Sequence, residues 1–186
     1  MVKTLAELPM SYSQPLEVTI NDYDLDVVAR NAIMLLIALV LEDVNEAIDC
    51  IIHVWYSVLL RKSDLDVLQA RIRPLVESVC KKIKNRTPTN VLGKTWQFGQ
   101  RSLRLVLEKT SWDRLLSFFD IPRGLTAGRA QQIRQAVTLA KSRKDFIHRV
   151  LLSQPPSRRI PMNRFREEGI LLPFGSPCKE FQEPNP

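Results

Sequence analysis

The sequence predicts a helix-dominated α/β fold with a small sheet, in the form of an incomplete Rossmann-like domain. A β-prone run, residues 16–20, is followed by a group of acids and then by a long apolar helix that ends near Leu41. This order is typical of the second strand of a nucleotide-binding α/β domain, where an acidic side chain meets ribose hydroxyls. The chain begins after the point where the first strand and its glycine loop would stand. We therefore expect only part of a Rossmann-like unit, with a small parallel-type sheet at residues 16–20.

The N-terminal half is predicted to contain two long helices after the end of a first one at residues 2–8. Asp24 or Asp26 can cap the first long helix through bonds to its free backbone N–H groups. From Ala32 onward this helix is apolar on every side, which predicts burial on all faces. The next helix begins at Asn45, and its apolar residues have the spacing of one buried stripe. That stripe consists of Val44, Ala47, Ile48, Ile51, Ile52, Trp55 and Leu59.

A further helix is predicted to begin near Ser63, because Ser63 and Asp66 resemble a capping box. Pro74 lies inside this helix and should kink or split it, since proline removes one helical hydrogen bond. Residues 85–95 are predicted to form a polar connection. The buried stripe of this helix consists of Leu65, Leu68, Ile72, Leu75, Val76, Val79 and Ile83.

The second half of the chain is predicted to be mostly helical before a proline-rich end. Residues 102–107 fit a strand by alternation and a helix by composition, so both interpretations stay open. A short helix is predicted over residues 111–119, and Thr126 should cap another that ends near Ala140. Because prolines recur after residue 154, we expect two parts. Residues 1–153 form a helix-rich α/β domain, and residues 154–186 form a basic, largely extended arm with one short helix near residues 162–168.

Composition and charge indicate a cytoplasmic protein with an uneven surface charge. Residues 94–186 hold 17 Lys/Arg and 8 Asp/Glu and carry a net charge of +9, whereas residues 1–93 carry −2, which gives +7 for the chain. Three cysteines give no disulfide framework and fit a reducing compartment. The longest apolar run has ten residues, about half of a membrane span, and the N-terminus does not resemble a signal peptide. We expect no membrane association, and the basic half alone does not favour nucleic acid.

Several motifs that could indicate chemistry are incomplete. Residues 93–95 read Gly-Lys-Thr, but Pro88 stands where a phosphate-binding loop needs a glycine. Cys50 and His53 have a metal-like spacing, yet no second pair completes a closed zinc site. The sequence therefore assigns no catalytic residue and no metal ligand, although a Cys–His dyad stays open. The tryptophans lie in apolar patterns that predict core positions: Trp55, Trp96 and Trp112.

Asp22 and Asp24 are the candidate cofactor-binding residues. In the functional interpretation, one of them accepts hydrogen bonds from an adenosine ribose, with Asn31 on the following helix. In the structural interpretation, both are acids at a helix N-terminus, where each stabilises the helix by about 0.3–1 kcal/mol. Without a glycine loop in this chain, the second interpretation is favoured.

Several sequence blocks resemble a known family, domain of unknown function 4470, which occurs in fungal proteins, some with a MYND-type zinc finger. The resemblance extends to the N-terminal region of dynein axonemal assembly factor three and spans nearly the whole chain. The blocks are Lys-Thr-Leu-Ala-Glu-Leu-Pro, Val-Thr-Ile-Asn-Asp-Tyr-Asp, Val-Val-Ala-Arg-Asn-Ala-Ile-Met-Leu-Leu, His-Val-Trp-Tyr-Ser, Lys-Thr-Trp-Gln-Phe-Gly, Leu-Thr-Ala and Phe-Arg-Glu-Glu-Gly-Ile-Leu-Leu-Pro-Phe-Gly.

The resemblance implies a methyltransferase-like relative of the Rossmann fold without an established activity. S-adenosylmethionine would be a cofactor only of a full-length relative, so we expect no cofactor here beyond weak carry-over to Asp22 and Asp24. The expected function is a non-catalytic, assembly-factor-like domain in the cytoplasm that binds an unidentified protein partner. The alternatives are an S-adenosylmethionine-dependent methyltransferase-like protein and, more weakly, nucleic-acid binding through the basic half. The sequence leaves the oligomeric state open.

Overall fold

The apolar helix that follows the acidic residues lies at the centre of the fold. A computed structural model describes residues 7–173 and 175–186, with only the backbone for residues 143–148. The helix, α1, spans Leu25–Val40. Asp24 is its N-cap, as predicted, and accepts a hydrogen bond from the backbone N–H of Asp26 at 2.8 Å. Six of the 16 residues of α1 are buried, five of them within residues 32–37. Ala38 is exposed and Val40 half-buried, so the prediction of burial on all faces from Ala32 onward is wrong. The predicted helix end at residues 2–8 lies largely outside the described residues.

Residues 16–20 do not form the predicted strand. The segment is irregular, and Leu16, Val18 and Ile20 are exposed. Strand propensity reflects packing on a pleated surface and pairing with a neighbour, and neither described sheet includes this segment. The parallel-type sheet predicted here is therefore wrong, and Rossmann-like character is not shown.

Helix α2 spans Val44–Tyr56 and packs against α1. Its N-cap is Asp43, whose carboxylate accepts a hydrogen bond from the backbone N–H of Glu46 at 2.7 Å. The helix is present as predicted, but its orientation about its axis differs. Its fully buried residues are Ala47, Cys50 and His53. The predicted buried stripe is thus partly exposed, because an apolar pattern this broad does not determine which side faces the core.

A helical stretch that changes geometry in the middle follows the short strand β1, Leu59–Arg61. It consists of α3, Lys62–Asp66, a π-helical segment, Val67–Ile72, and α4, Arg73–Ile83. Pro74 lies in the first turn of α4, where its missing N–H is tolerated, and the backbone N–H of Arg73 donates to the Leu68 carbonyl five residues back. Pro74 was predicted to kink or split this helix; the structure shows a change of helical geometry just before it, without a break in the helical stretch.

The start of this stretch differs from the prediction. Arg61 rather than Ser63 is the N-cap of α3, and its backbone N–H donates to Asp64 at 3.2 Å, so the predicted capping box is wrong. The predicted buried stripe is confirmed, with only Leu75 partly exposed.

Both described sheets have two antiparallel strands. Strands β2, Val91–Phe98, and β3, Arg101–Glu108, form a hairpin whose turn uses Gly99 at φ +57°. The strand interpretation of residues 102–107 is therefore correct, and the polar connection is shorter than predicted. In the other sheet, β1 pairs with β4, Phe181–Pro184, near the C-terminus.

The remaining helices follow the hairpin. They are α5, Lys109–Ser117, α6, Ala127–Thr138, α7, Lys141–Leu152, and α8, Pro156–Glu168. The Thr126 side chain caps α6 as predicted, accepting from the backbone N–H of Arg129 at 3.2 Å. The arm that was predicted to be largely extended contains the 13-residue helix α8, which begins before residue 162 because Pro156 is well suited to a first helical turn. None of the helices in the described part of the chain is both long and apolar enough for a bilayer crossing.

Two apolar clusters hold these elements together. The larger cluster lies between α1, α2, α4, α5 and the inner face of the hairpin. The smaller cluster joins β1, α6 and the C-terminal segment through Leu59, Ala130, Ile170 and Phe181. The C-terminal segment therefore packs against β1, which lies about one third of the way along the chain.

Gly169 ends α8, and its backbone contacts the residue that precedes β1. We expect Gly169→Ala to lower the free energy of unfolding by about 2 kcal/mol. Gly169 has φ +73°, and an added Cβ would lie 2.5 Å from Cγ1 of Val58. Its carbonyl also accepts a hydrogen bond from the backbone N–H of Val58 at 2.8 Å. Urea denaturation should show the loss, whereas Gly128→Ala, a control with open space on α6, should leave stability unchanged or raise it. Equal effects of the two substitutions would contradict this.

Candidate functional site

The two predicted cofactor-binding acids lie at the N-terminus of α1. The carboxylate of Asp22 accepts a hydrogen bond from the backbone N–H of Asp24 at 2.9 Å, and Asp24 in turn caps the helix. Both side chains are exposed. Asn31 lies apart, on a cavity of about 90 Å³ that Val18 and Ile20 also line. Ligand pockets usually have at least about 300 Å³, so this cavity is too small for a nucleoside.

A larger cavity of about 300 Å³ opens between α1, α2 and α5. Ile33, Leu68 and Phe119 form part of its apolar wall. The carboxylate of Asp26 stands at this cavity but is engaged by Arg114 at 2.7 Å, in an ion pair that is more than half exposed. The cavity is at the lower limit of ligand pockets and its one carboxylate already has a cation, so it carries no assignment.

A buried polar network joins α2, β1 and α3. Asp64 is 2% exposed, and its Oδ2 atom lies 2.9 Å from Nδ1 of His53. Arg61 donates to the same carboxylate from Nε at 3.1 Å and from Nη2 at 2.9 Å. An ionised carboxylate only accepts, so Nδ1 of His53 carries the proton of this hydrogen bond. Burial acts to raise the pKa of Asp64, but hydrogen bonds from His53 and Arg61 outweigh it and bring the pKa to about 2.

Cys50 lies one turn before His53, and its thiol is in an environment that disfavours the thiolate. Burial, followed by the charge of Asp64, raises the pKa of Cys50 to about 12. A nucleophilic cysteine needs a low pKa and access to substrate, and Cys50 is buried. The side chains of Cys50, His53 and Asp64 therefore have a structural role in this chain.

The network also contacts the C-terminal strand. The ring of Phe181, at the start of β4, meets the His53 ring edge-on with centroids 4.8 Å apart. No local sequence pattern reveals this network, because Asp64 and His53 belong to different helices. The network holds α2, β1, α3 and the C-terminal strand in fixed positions relative to one another. It thereby determines which side of α2 faces outward.

The outer side of α2 carries an exposed row of apolar residues. Val44, Ile48, Ile51 and Trp55 follow each other four, three and four residues apart, the spacing with which helices pack in pairs. Val44, Ile48 and Trp55 are 68%, 49% and 42% exposed, and Ile51 is half-buried. We call these four residues the apolar seam of α2. The core prediction is thus wrong for Trp55 but confirmed for Trp96 and Trp112, which are buried.

The aromatic end of the seam is held by its neighbours. The Trp55 ring stacks on Tyr56 with centroids 5.2 Å apart and an interplanar angle of 9°. The guanidinium of Arg30 on α1 lies 5.2 Å from the centroid of the Trp55 ring. These contacts leave an ordered indole at the surface, and such rings are frequent anchors in protein interfaces.

Acidic residues precede α2 and lie in its first two turns, on sides of the helix away from the seam. Residues 42–56 contain four acids and no Lys or Arg, although the chain as a whole has a net charge of +7. The acids, which we call the acidic end of α2, are all exposed: Glu42, Asp43, Glu46 and Asp49. Among the ion pairs of the described residues, none involves any of these four carboxylates.

A match to a known family covers this surface. Residues 1–60 are similar to the family described as a domain of unknown function (DUF4470). The match includes all of α1 and α2 and ends within β1, so it is shorter than the near-complete resemblance that the sequence blocks predicted. No curated protein matches the chain, and no solved structure does so either.

Proposed function

We propose that this chain is a non-catalytic protein-interaction module that binds its partner through the apolar seam of α2. The observation that carries the proposal is the exposure of Val44, Ile48 and Trp55 on one side of a helix that packs into the larger cluster through Ala47 and Cys50 on another. Soluble domains seldom leave a contiguous apolar row in water, and a helix face with this spacing is a common way to bind another helix.

The proposed contact is weak enough to be reversible. Covering an aliphatic side chain completely stabilises a complex by about 1.5–3 kcal/mol, and the seam residues are already partly covered by the rest of the chain. Association also costs several kcal/mol in lost translational and rotational freedom. We therefore expect a transient partner, which suits an assembly factor better than a permanent subunit.

We further propose that the interaction takes place in the cytoplasm, with an assembly-factor-like role. The thiols of Cys50, Cys80 and Cys178 are all free, which supports a reducing compartment. The similarity of residues 1–60 to a domain of unknown function supports a conserved unit but carries no activity. Binding of S-adenosylmethionine by Asp22 and Asp24 stays a prediction, and we do not extend it to methyl transfer, because both carboxylates bind the backbone around the start of α1.

Site-specific photo-cross-linking can test the seam. A benzoylphenylalanine residue at position 55 should give a discrete cross-linked product in lysate of the source cells, and Ile48→Asp should remove at least nine-tenths of that product. The reason is that a carboxylate at position 48 would have to be desolvated in the middle of the contact. Circular dichroism should show that Ile48→Asp changes the free energy of unfolding by less than about 1 kcal/mol, because the position is half exposed.

A matched control position lies on the hairpin. Val106 is 47% exposed on β3, close to the value for Ile48, but it lies outside the seam. Val106→Asp should leave the cross-linked product unchanged. An equal loss from both substitutions, or a product that Ile48→Asp leaves intact, would contradict the proposed function.

A further inference from the structure

We infer that two copies of this chain associate through strand β2, which pairs antiparallel with β2 of the second copy to form a four-stranded sheet. This inference goes beyond the proposed function, because it uses a different surface from the apolar seam of α2. It follows from the free backbone groups of the hairpin, from the unequal protection of its two edges and from the register in which β2 can pair with itself.

The outer edge of β2 exposes a regular row of backbone groups. The backbone N–H of Lys109 donates to the Asn90 carbonyl at 3.0 Å, one position beyond the last pair of the ladder, so these two residues form a hydrogen-bonded pair. Such pairs alternate along an antiparallel ladder, so every second residue of β2 turns its N–H and C=O groups away from β3. Within the described part of the chain, β3 is the only strand hydrogen-bonded to β2. The outward-turned residues are all exposed: Val91, Gly93, Thr95 and Gln97.

The two edges of the hairpin differ in how they are protected. Natural proteins shield an exposed strand edge with charged side chains, proline, a bulge or a covering segment. The segment with Val18 and Ile20 lies beside β3 at the cavity of about 90 Å³, and β3 itself carries three charged side chains, those of Arg101, Arg104 and Glu108. Strand β2 has one charged side chain, Lys94, and its eight residues pair with β3 without a bulge. We therefore expect another strand to cover the edge of β2.

Backbone geometry leaves few ways for β2 to pair with itself. A twofold axis perpendicular to the sheet makes the two β2 strands antiparallel and keeps both inner faces on the same side. Because outward-turned residues must meet one another, only two registers pair seven residues of each strand. The register over residues 91–97 places Lys94 directly opposite Lys94 of the second copy, which is unfavourable. The register over residues 92–98 places Lys94 opposite Trp96 and Thr95 opposite Thr95, so we assign this one.

The assigned register also suits the inner face of the hairpin. It places Leu92 opposite Phe98 of the second copy, and both side chains are only partly buried within one chain. The outward-turned residues of the two strands form about six backbone hydrogen bonds. Growth stops at two copies, because the remaining edges of the four-stranded sheet belong to the charged β3 strands. The contact is one strand wide, so we expect reversible association that is weaker than that of a standard interface.

Sedimentation equilibrium of the purified chain tests the association. The average mass should rise from that of one chain toward that of two between about 10 and 500 µM. Thr95→Pro removes an outward N–H at the twofold axis and should raise the dissociation constant at least tenfold. The hairpin should tolerate this proline, because the N–H of Thr95 does not bond to β3. Val106→Pro is the matched control, since it removes an outward N–H on the edge of β3 and should leave the dissociation constant unchanged.

Amide exchange and a disulfide test the register without the proline variants. The outward amides of Gly93, Thr95 and Gln97 should exchange about threefold more slowly at 500 µM than at 10 µM, because pairing protects them. The outward amide of Val106 should exchange at the same rate at both concentrations. In a Cys178→Ser background, Thr95→Cys should give a disulfide-linked dimer on oxidation, since the two Cα atoms lie about 5.5 Å apart across the axis, whereas Lys94→Cys should not.

The outcomes separate the inference from the proposed function. A mass of one chain at every concentration, or equal dissociation constants for Thr95→Pro and Val106→Pro, would overturn the inference and leave the seam of α2 untouched. A linked dimer from Lys94→Cys instead of Thr95→Cys would overturn the assigned register. Ile48→Asp alters the seam and should leave self-association unchanged. If Ile48→Asp abolishes self-association and Thr95→Pro does not, the two copies meet through α2 and the β2 contact is wrong.

Discussion

Replacing Asp64 with alanine is expected to lower the free energy of unfolding by about 3–5 kcal/mol. The carboxylate is 2% exposed and accepts hydrogen bonds from His53 and from the side chain and backbone of Arg61. Without it, an imidazole N–H and a guanidinium would be left without their acceptor in a part of the structure that water reaches poorly. Urea denaturation of the two proteins at pH 7 measures the loss.

The same network gives stability a defined dependence on pH. The pKa of Asp64 lies at about 2 in the folded chain, below its ordinary value of 3.8. The unfolded chain therefore binds a proton more readily than the folded chain does. The stabilisation is complete above about pH 4 and is lost as the pH falls from about 4 to 2. The difference in pKa corresponds to about 2 kcal/mol.

Two variants distinguish this network from ordinary acid sensitivity. Asp64→Asn keeps the shape of the side chain but removes the titrating group. Between pH 4 and 2, the free energy of unfolding of this variant should therefore fall by about 2 kcal/mol less than that of the unmodified chain. Asp66→Asn removes an exposed ion pair with Lys62 and should change stability by less than about 1 kcal/mol. Parallel pH curves for the unmodified chain and Asp64→Asn would contradict the role assigned to Asp64.

The elements that the sequence predicted best are those that depend on local chemistry. Asp24 caps α1 and Thr126 caps α6, because a capping bond joins residues two or three positions apart. The helical geometry changes next to Pro74 for a reason that is equally local. The strand expected at residues 16–20 failed because a strand needs a partner, and the segment has the composition of a strand without a neighbour in either described sheet.

The candidate site depended on packing that no local pattern contains. The apolar residues of α2 cover most of its circumference, so periodicity alone could not tell the buried face with Ala47 and Cys50 from the exposed seam with Ile48. The choice is made by His53, which turns inward to reach Asp64 on another helix. A buried polar contact between separate elements thus determines which apolar residues face water, and through them where a partner can bind.

Replacing Trp112 with alanine is the second large effect, with an expected loss of about 3–5 kcal/mol in the free energy of unfolding. The Trp112 side chain is 0% exposed, at the centre of the larger cluster between α5 and the hairpin. Its Nε1 donates to the Leu92 carbonyl at 3.1 Å, and its ring meets that of Trp96 edge-on with centroids 6.1 Å apart. The substitution removes these contacts and leaves a cavity that the strands and helices around it cannot close without moving.

Trp55 provides the matched control, because it has the same side chain in an exposed position. Trp55→Ala should cost less than about 1 kcal/mol in urea denaturation followed by circular dichroism. It should nevertheless weaken binding of the partner captured by cross-linking at least tenfold, since exposed aromatic anchors carry much of the binding energy of an interface. Trp112→Phe should retain most of the packing and lose mainly the hydrogen bond to Leu92, for about 1–2 kcal/mol. If Trp55→Ala destabilises the fold as much as Trp112→Ala does, then Trp55 belongs to the core, and the seam of α2 would lose the anchor on which the proposed contact depends.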